Sequence, residues 1–88
     1  MSFDAAIVKE QGVTFVVVAV RRGTLSGSTA SKNQTAREFG ASFDGLPVVL
    51  MEQDSKGAPR YFGRMDLVNF LASVFVEQLP WRRCSISA

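Results

Sequence analysis

The segment Val13-Thr14-Phe15-Val16-Val17-Val18-Ala19-Val20 is the strongest constraint on this chain. A half-buried strand alternates apolar and polar residues, because successive side chains point to opposite faces. This one does not alternate, so both of its faces are apolar. It predicts a strand over residues 13–21 at the centre of a sheet, covered on at least one side by a helix. The run is far short of the roughly 20 apolar residues that span a bilayer, so no membrane partner is expected.

The other elements are read around this strand. Residues 3–8 predict a first strand, with a turn over 9–12 in which Gly12 supplies positive φ. Arg21-Arg22 ends the central strand, and the Gly/Ser-rich stretch 23–29 predicts a polar loop. Residues 30–42 predict a helix with a narrow stripe made by Ala36, Phe39 and the following Phe43. Asp44-Gly45 marks a turn before a second buried strand, Leu46 to Glu52. Asp54-Ser55-Lys56-Gly57 predicts a hairpin turn, and residues 59–63 the returning strand, with Pro59 suiting an edge. Asp66 is expected to cap a helix over 67–78, with Leu67, Phe70, Leu71, Val74 and Phe75 on its buried face. Pro80 stops that helix, and residues 81–87 predict a last strand.

These elements imply one α+β domain over residues 1–88, a two-layer α/β sandwich in the chain order ββαββαβ. After the first strand the order is βαββαβ, that of ferredoxin-like folds. A thioredoxin-like arrangement is the alternative. Leu46-Pro47-Val48-Val49-Leu50-Met51, then Tyr61-Phe62-Gly63, then Asp66 to Val76 resemble the second half of thioredoxin-like proteins. The paired cysteines of that family are missing, so the resemblance implies no dithiol exchange. Across most of the chain, Glu10-Gln11-Gly12-Val13-Thr14-Phe15, Pro47-Val48-Val49-Leu50-Met51, Tyr61-Phe62-Gly63-Arg64 and Pro80-Trp81 resemble small bacterial proteins with no assigned function. That resemblance implies no activity.

The chemistry is sparse. The 88 residues contain no histidine and one cysteine, Cys84. A nucleophilic cysteine needs a partner base, so Cys84 is expected to be inert. No internal disulfide can form, and Met1-Ser2-Phe3-Asp4 lacks the basic start of a secretion signal; a cytoplasmic location is expected. Glu52 and Asp54 are expected as turn residues, and the carboxylates are too scattered for a metal site. No catalytic residue, metal or cofactor is expected.

Arginine and aromatic residues carry the binding candidates. These are Arg21, Arg22, Arg60, Tyr61, Trp81, Arg82 and Arg83. Arginine beside an aromatic binds phosphates or bases, whereas solvated strand ends, charge pairing with Asp4, Asp54 or Glu52, and core packing are the plainer explanations. Ten Lys and Arg against eight Asp and Glu give a net charge of only +2, too small to imply nucleic acid by itself. The expected function is a non-catalytic binding or regulatory module, homodimeric or bound to a protein partner through an edge strand. The alternatives are weak single-stranded nucleic-acid binding on an open sheet face, and phosphate or nucleotide binding by the loop 23–29.

Overall fold

A computed structural model describes residues 2–10 and 12–85. Five strands form one sheet: β1 (Ser2–Glu10), β2 (Val13–Ala19), β3 (Val48–Gln53), β4 (Pro59–Phe62) and β5 (Trp81–Ser85). Two helices, α1 (Thr29–Gly40) and α2 (Met65–Leu71), complete a mixed α+β fold. The chain order is the expected ββαββαβ, with short 3₁₀ turns added at Thr24–Ser26, Ala41–Phe43 and Val76–Gln78.

The sheet order is β4-β3-β2-β1-β5, so the two-sided apolar strands β2 and β3 lie inside it. β2 and β3 are parallel neighbours, with Val17 opposite Val49 and Val18 opposite Leu50. A ferredoxin-like sheet splits such a parallel pair with another strand. Here nothing separates them, so the chain order is met but the ferredoxin-like arrangement is not formed. The β1–β2 and β3–β4 pairs are antiparallel hairpins, and β5 returns antiparallel to β1. Gly12, at φ 81°, makes the first hairpin turn tight enough for β1 to run on to Glu10.

The expected two-layer sandwich is corrected to three layers. Phe15 and Val17 of β2 join Val49 and Met51 under Leu67 and Leu71 of α2. Val16 and Val18 join Leu50, Phe3 and Ala5 under Phe39 of α1. Alternate residues of one strand thus enter two different cores. The cause is the unbroken apolar run from Phe15 to Ala19, which gives neither face of that stretch a polar residue and obliges burial on both. The α1 stripe is as expected: the Phe39 and Phe43 rings meet Phe3 edge-on, with centroids 4.9 and 6.2 Å away.

The second helix differs most from expectation. It ends at Leu71, not residue 78, because Ser73 and Val74 turn back to Phe70 and Leu71 in tighter bonds. The Ser73 hydroxyl also donates to the Phe70 carbonyl at 2.7 Å. Phe75, expected on the buried face, then lies in extended backbone and is 73% exposed. Arg64, not Asp66, holds the N-cap position; Asp66 lies in the first helical turn, where its charge still suits the helix dipole. Of the last predicted strand, residues 86–87 lie outside the described residues.

Candidate functional site

β5 is antiparallel to β1, and β1 to β2, so β2, β3 and β5 all point the same way. Their C-terminal ends share one end of the sheet, the side on which open α/β sheets bind ligands. Two grooves open there. A groove of about 610 Å³ on the α1 side is lined by Ser2, Phe3, Asp4, Ala19, Val20, Arg21, Thr24, Thr35, Glu38, Phe39 and Arg83. One of about 360 Å³ on the α2 side is lined by Asp4, Ala19, Met51, Gln53, Val76, Glu77, Trp81, Arg82 and Arg83.

Asp4 and Arg83 line both grooves and form an ion pair of 3.3 Å between β1 and β5. Acidic and basic residues line both grooves. Asp4, Glu38, Arg21 and Arg83 line the larger groove; Asp4, Glu77 and Arg83 line the smaller, beside Arg82, whose side chain leaves β5 on the opposite face from that of Arg83.

The expected site residues are thus divided. Arg21 and Arg83 line the larger groove, and Trp81, Arg82 and Arg83 the smaller. Arg22 reaches from the end of β2 towards the Asp54 carbonyl at 3.4 Å. Arg60 and Tyr61 stand on β4, with β3 and β2 between them and β1. Trp81 closes the core edge: its Nε1–H donates to the Val76 carbonyl at 2.7 Å and its ring packs on the α2-side cluster. Tyr61 packs on the same cluster, and its hydroxyl is enclosed without a hydrogen-bond partner among the described residues. Burial pushes its phenol above the ordinary value, and the Glu77 carboxylate adds to the shift. At the far end of the sheet, Arg64 pairs with Asp66 at 2.8 Å. Its hydrogen bond holds the Asp66 carboxyl below the usual range.

The Tyr61 and Trp81 rings, the aromatic binding candidates, are both packed against the α2-side core. Both sheet faces are covered, and a stacking platform of the RNA-recognition kind needs an open one.

The loop 23–29 is equally committed. The N–H groups of Thr24, Ser26 and Gly27 are bonded to carbonyls of residues 21–24. Ser28 caps α1 by accepting from the Ser31 N–H at 3.1 Å. The Leu25 N–H is taken by the Glu52 carboxylate, also at 3.1 Å. A phosphate cradle needs free amides and positive potential; this loop places a carboxylate there instead. Glu52, at the end of the expected strand beside the turn, is only 3% exposed.

Cys84 is half-buried against the α1-side cluster, its Sγ 3.7 Å from the Arg82 carbonyl. Among the described residues no group of three or more His, Cys, Asp or Glu is placed to hold a metal. No helix among them is long and apolar enough to cross a membrane.

The carboxylates Glu38 and Glu77 are the site residues that sequence reasoning missed; Asp4 is among those expected to pair with the arginines, and it pairs with Arg83. Asp4 meets Arg83 across 79 positions of chain, through a β1–β5 pairing that local pattern does not specify. No protein-family model, curated protein or solved structure matches this chain.

Proposed function

We propose that this chain is a non-catalytic protein-binding module whose contact surface is the sheet end shared by β2, β3 and β5. The observation that carries the reading is the charge pattern of the two grooves, which places carboxylate and guanidinium side by side around Asp4–Arg83. A polyphosphate backbone selects a continuous positive track, and Asp4, Glu38 and Glu77 interrupt any such track here. A polypeptide surface, itself of mixed charge, is the better complement.

A cytoplasmic setting suits a chain with a single cysteine. The thioredoxin-like reading of residues 46–76 rests on the succession β3, β4, α2. It contributes a scaffold without dithiol chemistry.

The test is capture of a binding protein by the immobilised full chain, repeated with the double substitution Arg21→Ala and Arg83→Ala. Both residues are exposed at the groove rims, so the fold should persist. A partner retained by the original chain and lost by the variant supports the reading. Equal retention by both overturns it.

A further inference from the structure

The two edges of the sheet are not equivalent. β4 has four residues and begins at Pro59, which offers no N–H to a neighbouring strand. At its other end Lys32 lies over the Phe62 ring, 4.6 Å from the centroid. β5 has five residues, contains no proline and forms the opposite edge. Its outward N–H and C=O groups are a template for another strand.

Arg82 and Arg83 stand exposed on that edge. The register sets Arg82 opposite Ala5 and Arg83 opposite Asp4, so their side chains leave β5 on opposite faces. The Arg83 and Asp4 side chains are 68% and 48% exposed, and so open a pair contributes little and exchanges readily.

We propose that the free edge of β5 accepts an extended acidic segment of a partner protein as a sixth strand. Adjacent carboxylates on that segment reach Arg82 on one face and Arg83 on the other. This inference rests on the protein-binding reading above and names the chemistry of the partner.

A second copy of this chain is the poorer occupant in the registers centred on the two arginines. Pairing β5 with itself about an axis normal to the sheet sets Arg83 directly against its counterpart. Sliding towards the next register of the same facing sets Arg82 against its counterpart instead. Like charges directly opposite destabilise a strand pair. An acidic strand removes that conflict and adds charge-assisted hydrogen bonds to the backbone ladder.

The test uses the full chain, isotope-labelled, and a capped hexapeptide with the sequence Thr-Val-Glu-Glu-Val-Thr. Versions with Gln-Gln or Lys-Lys at the centre are the controls. The acidic peptide should shift the amides of Trp81–Ser85 and slow the exchange of alternate ones. The Gln-Gln version should bind about tenfold more weakly or worse. The double substitution Arg82→Glu with Arg83→Glu should exchange the preference for Glu-Glu into one for Lys-Lys, with an unchanged circular dichroism spectrum.

Unmoved β5 amides at millimolar acidic peptide would overturn the proposal, as would equal affinity for the Gln-Gln peptide. Shifts confined to Arg21, Thr35 and Glu38 would overturn strand addition while leaving the protein-binding reading intact. Peptide-free dimers with protected β5 amides would show that a second copy takes the edge, and would overturn it too.

Discussion

The Glu52 carboxylate accepts a hydrogen bond from the Leu25 backbone N–H across 27 positions of chain, and ties the loop after β2 to β3. The 3₁₀ turn Thr24–Ser26 is held from below by this one acceptor, while buried Leu25 fills the α1-side core. Removing the acceptor strands a buried donor. Glu52→Ala should therefore cost about 1–3 kcal/mol in urea denaturation, and Glu52→Gln, which keeps a carbonyl oxygen, less. Faster amide exchange at Leu25 should accompany the loss. An alanine variant as stable as the original would disprove the tie.

Gly63 sits where β4 leaves the sheet, pressed against β3. A Cβ there would lie 3.0 Å from Val49 Cγ2 and 3.2 Å from the Val48 carbonyl oxygen. The nearest backbone atoms cannot swing aside as a flexible side chain does. Gly63→Ala should lower stability by about 1–3 kcal/mol through overpacking. Thermal unfolding measures it, and an unchanged midpoint would refute the close approach.

Tyr61 makes stability fall at alkaline pH. Its phenol is neutral in both folded and unfolded chains below about pH 10. Above that the unfolded chain ionises first, because burial and Glu77 raise the folded-state value. The folded state therefore loses ground as pH rises from the ordinary value through the raised one. Tyr61→Phe should reduce this alkaline slope. It should leave stability at pH 7 within about 1 kcal/mol, since the enclosed hydroxyl has no partner to lose. Identical alkaline unfolding curves for the two chains would contradict the assignment.

Trp81 fastens the 3₁₀ turn Val76–Gln78 to the start of β5. Trp81→Phe keeps an aromatic ring but deletes the Nε1–H donor. The expected cost is about 1–2 kcal/mol from the lost bond and some lost apolar area. Amide exchange should quicken in that turn before it does in β2. Equal protection in both chains would argue against the fastening role.

Much of the fold is legible in local pattern. Val13–Val20 declares its own central place, and the Asp54–Gly57 turn follows from Asp54, whose Oδ1 accepts from the N–H of Lys56 and Ala58 at 2.8 and 2.9 Å. The stripe of α1 is readable from Ala36, Phe39 and Phe43. The early end of α2 is not, because the apolar spacing of Leu67, Phe70, Leu71 and Val74 continues past the last helical turn. What stops the helix is Ser73 competing for a backbone carbonyl. The three layers are implicit in β2, and only the placing of the helices is not. Two-sided hydrophobicity in β2 demands two covers, but not which helix goes to which face.

The site is less legible than the fold. Arg21, Arg82 and Arg83 stand out by type, yet their place around the two grooves depends on β5 crossing to the far edge beside β1. Glu52 is the clearest miss, since only a contact 27 positions away distinguishes it from a turn carboxylate.

Val16 and Val17 are adjacent in the chain and belong to different hydrophobic clusters. Damage on one side of the sheet therefore has little direct access to the other. In a thermodynamic cycle, Phe39→Ala and Leu71→Ala should sum to nearly the effect of the double variant, because the two residues share no packing neighbours in either cluster. Val17→Ala and Leu71→Ala, which lie in one cluster, should not. The sheet works as a partition, and each half of the interior can drift in sequence without renegotiating the other.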